Sequence, residues 1–326
     1  MKYYSEDGQY SIEVAILKDL NEWAEGVLKN GGFTDIEPSK ALRQYCEMKL
    51  RILQAKPRKI ERSREFLCPA GFELGLNELE KAIEQGLPLD PYMSKNIRNA
   101  SYQDKFINDW GMYHFHLGTG FDNNDPRFIA RTGHLLVAFV DLRNDDTVYF
   151  LQIVPHRKSI WTQQGLIRIL ADNWPDKVSM FDGVARLTVD ITDEGYRELR
   201  DANVMTAIDL KDGRVVFPPN LGLTTAGTSI RAGMSYNRKC NDAITMEKNI
   251  SQSVEFLCDV INHQRYEPAN SFVLHLIQPG LSDYTFRVDD ENYFIRIFYH
   301  NKRLAAIVGD NQKEIDDNYR EHFQNT

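Results

Sequence analysis

The sequence predicts an α+β protein: a helical N-terminal region, a central antiparallel sheet module with a covering helix, and a C-terminal sheet module preceded by a long helix. Three observations carry that prediction. Apolar residues recur at three- and four-residue spacing before residue 90 and again over 230–262, which is the helical period. Between 111 and 154, and after 271, the runs are short, rich in β-branched and aromatic residues, and bounded by turn formers, as strands are. Proline and glycine punctuate the chain at Gly31-Gly32, Pro57, Pro88 and Pro91. The expected divisions are 1–90, 91–200 and 201–326.

In chain order, Ile12, Ala15, Ile16, Leu20, Trp23 and Val27 predict an amphipathic helix over 11–29, ended by Gly31-Gly32. Pro38-Ser39 opens a second helix that Pro57 stops. Residues 56–64 are the most basic stretch, expected as a solvated linker or as a local electrostatic arm for RNA. A third helix covers 76–85. Short helices around 94–99 and 104–109 lead into a strand at 111–117, and 128–131 suggests an edge strand. Strands at 134–142 and 147–154 flank a turn at 143–146, and a helix over 162–173 covers them. Beyond 180 come a strand at 185–189 and a helix over 193–201 capped by Thr192. A hairpin follows (205–210 and 215–217) with Asp212-Gly213 in its turn. A helix of about 30 residues, spanning about 45 Å, runs from 230 to 262. It is read as a bridge between modules, or as a seam for a protein partner or a second copy. Strands at 271–277, 284–288, 293–299 and 304–308 and a helix over 312–323 complete the chain.

Composition narrows the function. Hydrophobic residues at 42% and charged residues at 26% are ordinary globular values. A net charge of -8 argues against general polyanion binding, so contact with RNA needs a local basic patch. No apolar run approaches ~18 residues, so no membrane span is expected, and the first residues lack the apolar core of a signal peptide. Cys46, Cys68, Cys240 and Cys258 are far apart, as reduced thiols of a cytoplasmic protein would be.

The chemistry-bearing stretch is 110–161, which holds four of the eight histidines. In His114-Phe115-His116, a strand puts both imidazoles on one face, about 6–7 Å apart, and turns Phe115 into a core. Two such rings can act as general acid and base. They can also share a metal ion, which gives a metal-dependent hydrolase as one alternative. The structural alternative is two histidines on a solvated sheet face. His156-Arg157-Lys158 leaves the end of a strand, and Arg131 and His134 begin the strand before it. Histidine moves protons and the cations hold a phosphate, so His114, His116, His156 and Arg131 are the candidate catalytic set. His134, Arg157 and Lys158 are expected to bind substrate, with strand-edge packing as the plain alternative for His134. Tyr102, Tyr113 and Trp161 flank the cluster as base-stacking or packing residues.

No H-E-x-x-H motif, P-loop or Rossmann fingerprint is present, so neither a metal nor a cofactor is expected. The loop 222–229 before the long helix offers Thr228 and Ser229 as anion-binding hydroxyls, or as an ordinary helix cap. The His/Arg/Lys set resembles, in residue type and small α+β setting, the metal-independent ribonuclease toxins of bacteria. The likeness is one of chemical logic over at most residues 100–175, and no residue roles are carried over from it. The expected function is a metal-independent endoribonuclease or related phosphodiesterase, of the kind used as a toxin or antiviral effector. The other alternative is a non-catalytic partner-binding or regulatory protein of a defence or toxin–antitoxin system.

Overall fold

The computed structural model describes residues 1–157, 160, 162–263, 265, 267–280, 283–289, 292–300 and 303–324, with 300 and 321–324 described by backbone alone. The fold is α+β. Strands β1 (Lys2–Tyr4) and β2 (Ser11–Val14) precede helix α1 (Ile16–Asn30), so the first predicted helix begins five residues late. Ile12 and Val14 are buried and Glu13 is exposed, which is strand alternation. What fixes that strand is pairing with β1 and with a segment near residue 271. Helix α2 (Ala41–Arg51) follows Pro38, then β3 (Lys59–Arg62) and α3 (Glu73–Gln85), which Gly86 ends at φ 72°.

Next come α4 (Lys105–Trp110), β4 (Met112–His116), β5 (His134–Val140), β6 (Thr147–Pro155) and α5 (Gly165–Asn173). Residues 128–131 form only an isolated bridge between Ile129 and Phe121. Strand β7 is Ser179–Met180, and the strand expected at 185–189 is irregular chain. Helix α6 (Asp193–Asp201) is capped by Thr192, whose hydroxyl accepts from Gly195 N–H at 3.1 Å. The expected hairpin forms between β8 (Ile208–Asp209) and β9 (Val215–Phe217).

The long helix is two helices, α7 (Ile230–Ser251) and α8 (Val254–His263). Ser251 Oγ donates to its own helix at Lys248 O, 2.6 Å, and such local bonding by serine competes with the helical ladder. Strands β10 (Ser271–Pro279), β11 (Asp283–Val288), β12 (Phe294–His300) and β13 (Arg303–Gly309) and helix α9 (Gln312–Gln324) close the chain. Among the described residues no helix is long and apolar enough to cross a membrane, and the four cysteines are unbridged.

The chain divides into two compact units. The first comprises Met1–Gly32, Ile36–Tyr45 and Ser235–Thr326; the second comprises Phe33–Asp35 and Cys46–Met234. In the first, one sheet of order β1-β2-β10-β11-β12-β13 packs a single core that includes Ile16, Leu20, Leu257, Ile261, Phe272 and Phe286.

In the second unit, the central sheet has order β3-β6-β5-β4, antiparallel except for the β3–β6 pair. It is buried on both faces, which explains near-continuous apolar runs such as Leu135–Val140. Leu136, Ala138, Val148 and Phe150 enter one core with Leu79 and Ile83 of α3. Val137, Phe139, Tyr149 and Leu151 enter the other with Trp110, Leu166 and Tyr196. A Cβ on Gly75 would stand 2.0 Å from Leu117 O, so α3 lies against the backbone just after β4 because residue 75 has no side chain.

The basic stretch is drawn into this unit. Arg58 bonds Asp145 at 2.7 Å, Lys56 bonds Asp145 and Asp146 at 2.6 and 2.7 Å, and Arg62 bonds Glu80 at 2.5 Å.

Candidate functional site

Strand β4 alternates between two environments. Tyr113 and Phe115 enter the α3-side core, as expected for Phe115. Met112 enters the opposite core, and His114 and His116 continue that face. Both rings are almost wholly buried, at 6% and 4% exposure. They line a cavity of about 660 Å³ within the second unit, together with His156 and Arg131. Residues of three separate segments, His114 and His116 of β4, Arg131 and His156, therefore line one cavity.

The three rings differ in environment. Burial lowers the pKa of His114 below the ordinary histidine value, opposed by the carboxylate of Asp104 and assisted by His156 and Arg131. Burial is also the main cause that brings His116 down to about 3, with the charge of Arg131 second. His116 Nδ1 accepts from Thr132 N–H at 3.4 Å, which leaves the ring proton on Nε2. His156 is exposed, and its ring meets that of His116 edge-on with centroids 5.7 Å apart. Arg131 donates to Met93 O at 2.7 Å and lies over Phe128, and among the described residues no carboxylate pairs with it.

The remaining walls come from α4 and α6. Asp104 lines the cavity while capping α4, its Oδ1 accepting from Phe106 and Ile107 N–H at 3.1 Å each. Lys105 donates to Arg200 O at 3.1 Å and Asp201 O at 3.4 Å, at the carbonyl end of α6. Tyr102 and Phe106 supply aromatic surface.

Arg200, which sequence reasoning missed, lines the same cavity. Its Nε and Nη2 bond Asp109 Oδ2 at 2.9 and 2.7 Å. Tyr196 Oη donates to the same oxygen at 2.9 Å, and Trp110 Nε1 donates to Tyr196 Oη at 3.1 Å. Burial raises the pKa of Asp109 from its ordinary value, against the pull of Arg200. The one available signal is the spacing of Tyr196 and Arg200, one helical turn apart, with no marker of their partner on α4.

Other expected residues lie elsewhere. The ring of His134 packs on Phe72, centroids 4.8 Å apart, and neither it nor Arg157 is among the cavity's lining residues. Lys158 and Trp161 lie outside the described residues. Thr228 and Ser229 form a helix start away from the cavity: the Thr224 and Thr228 hydroxyls bond at 2.9 Å, and Ser229 Oγ accepts from Ala232 N–H at 3.3 Å. This is the cap reading: Thr224 Oγ1 accepts from Thr228 N–H in the loop, and Ser229 Oγ serves the first turn of the helix. Tyr113 is core, its hydroxyl donating to Leu50 O at 2.6 Å. Asp122 pairs with Lys95 and Asp125 with Arg127.

Comparison with protein-family models, curated proteins and solved structures finds no match. The arrangement must be read from its own geometry. Among the described residues no group of three or more His, Cys, Asp or Glu side chains is placed to hold a metal ion. What the cavity offers is two neutral buried imidazoles, one exposed imidazole, and arginines with donors to spare.

Proposed function

We propose that the cavity binds a phosphodiester and that the protein is an RNA-cleaving phosphodiesterase working by histidine acid–base chemistry. The observation that carries the reading is the convergence of His114, His116, His156 and Arg131 on one cavity. In this reading Arg131 holds the non-bridging oxygens. His156, the ring open to solvent, takes the proton of the 2′-hydroxyl as that oxygen attacks phosphorus. The bond from phosphorus to the 5′-oxygen breaks, and His116, protonated once its Nδ1 is released from the Thr132 amide, gives its Nε2 proton to the departing oxygen. The products are a 2′,3′-cyclic phosphate and a 5′-hydroxyl, so no water and no further reactant enters this step.

Magnitudes allow His116 that part. A unit negative charge ~4 Å away is worth about 4 kcal/mol at an effective dielectric of 20, which is about three pKa units. A bound phosphate therefore lifts His116 from about 3 towards the neutral range. Ligand binding should take up a proton, seen as a binding heat that depends on the buffer's own ionisation heat.

The direct test is cleavage of RNA in excess chelator by wild type, His114→Ala and His116→Ala, with the cyclic phosphate as the diagnostic product. Equal cleavage by all three rejects the assignment. The depressed pKa of His116 favours a second reading, a pocket that holds the same anion without turning it over. Buffer-dependent binding with no cleavage by wild type would select it.

A further inference from the structure

Arg200 is 5% exposed, yet its Nη1 is a buried nitrogen with no hydrogen-bond partner among the described residues. Its other two nitrogens are both committed to Asp109 Oδ2. The guanidinium also lies against two neighbouring rings, 4.4 Å from the centroid of Trp110 and 5.1 Å from that of Tyr196. It is thus a rigid, charged donor on a cavity wall with one side unused. Leaving a charged donor buried and unsatisfied is costly, and proteins do so rarely without a reason.

The cavity's other cations are divided in a revealing way. Lys105 is spent on the last carbonyls of α6, and Arg197 is paired with Glu194 on its own helix. Arg131 has no carboxylate partner among the described residues, and Arg200, though paired with Asp109, keeps Nη1 unused. Arg131 comes from the segment leading into β5 and carries exposed surface; Arg200 comes from α6 and is buried. Two oxyanion-seeking groups from different elements therefore face one cavity, whose volume suits a small ligand. Guanidinium groups recognise phosphate through paired N–H donors, and such charge-assisted bonds are among the strong ones.

We infer that Arg200 is a substrate-binding residue for a second phosphate. The ligand is a ribonucleotide with a phosphate on each side of its sugar, as in two consecutive phosphates of an RNA strand. Asp109 and Tyr196 are positioning residues, acting only through Arg200. The inference rests on the phosphodiester reading and narrows it: the site holds one phosphate at Arg131 and the histidines, and the next at Arg200.

The test compares adenosine 3′-monophosphate with adenosine 3′,5′-bisphosphate at fixed ionic strength, without divalent ions, by calorimetry. Wild type should bind the bisphosphate ~10-fold or more tightly than the monophosphate, the scale of one charge-assisted contact. In Arg200→Lys, which keeps a cation beside Asp109 but loses the planar fork, the advantage should fall to ~2-fold while monophosphate affinity holds. Arg131→Gln should weaken both ligands. Equal affinities in wild type overturn the role of Arg200 and need no variant to fold. If monophosphate binding is then still lost in Arg131→Gln, the phosphodiester reading survives alone. An advantage that persists unchanged in Arg200→Lys also overturns the inference, and failure of wild type to bind either ligand overturns both.

Discussion

Two arginines seated on aromatic rings, the part-buried Arg296 in the first unit and the buried Arg200 in the second, are treated differently. In the first, Arg296 has all three guanidinium nitrogens engaged: Nε and Nη2 on Asp283 at 2.8 and 2.7 Å, Nη1 on Asp316 at 2.6 Å, with Tyr319 3.9 Å beneath it. In the second, Arg200 has the same kind of aromatic seat but one carboxylate, and Nη1 is left over. Arg296 serves the fold with its complement complete. Arg200 lines the histidine cavity with one nitrogen unused, where an oxyanion would complete the set.

The comparison can be broken most forcefully by removing the cations. Arg200→Met leaves Asp109 buried with only the Tyr196 hydroxyl, and loss of one partner of a buried pair costs about 3–5 kcal/mol. Arg296→Met leaves less deeply buried carboxylates and should cost less. Adding Asp109→Asn to Arg200→Met should recover much of the loss. Denaturant unfolding of the four proteins checks this, and a larger loss at Arg296 would reverse the ranking.

Acid should then find the histidine cavity. With His116 at about 3 when folded, against an ordinary value near 6.5, the unfolded chain takes up its proton first as pH falls. The stability associated with this ring is therefore complete above pH ~6.5 and falls as pH drops towards 3. The slope is at most about 1.4 kcal/mol per pH unit. His114 adds to the slope in the same direction. Unfolding midpoints at pH 7.5 and 5.5 should differ less in His116→Gln than in wild type; identical differences would remove the ring from the account.

Arg131→Gln separates ligand binding from folding. Its one hydrogen bond among the described residues is to Met93 O, so stability should change by under about 1 kcal/mol, while affinity for a monophosphate falls ~10-fold, read by calorimetry. The smallest effect is expected at the other proposed anion loop. Ser229→Ala removes a helix cap and should cost about 1 kcal/mol on thermal unfolding, with phosphate affinity unaltered. A loss of affinity there would restore the loop as a ligand site.

What could be read in advance follows from sequence distance. His114 and His116 flank Phe115, so their shared face is a property of one strand. The β5–β6 hairpin, the Thr192 cap and the turn at Asp212-Gly213 are likewise local. Strand β2 was hidden because its parallel partner β10 begins at Ser271, and its apolar residues also fit a helix. Arg200 was hidden because Asp109 is 91 residues away, with only a helical spacing of ordinary residues to announce it. His134 begins a strand whose pairing is predictable, but nothing near it foretells that Phe72 covers its ring. Thr228 and Ser229 carry the same hydroxyls whether they cap a helix or hold an anion, and only the positions of Thr224 and Ala232 decide.

The Thr132 amide that occupies His116 Nδ1 has a consequence for selectivity. A neutral imidazole fixed in that tautomer offers a visitor hydrogen, never a lone pair. At this ring an ammonium group meets a donor where it needs an acceptor, whereas an oxyanion finds a partner.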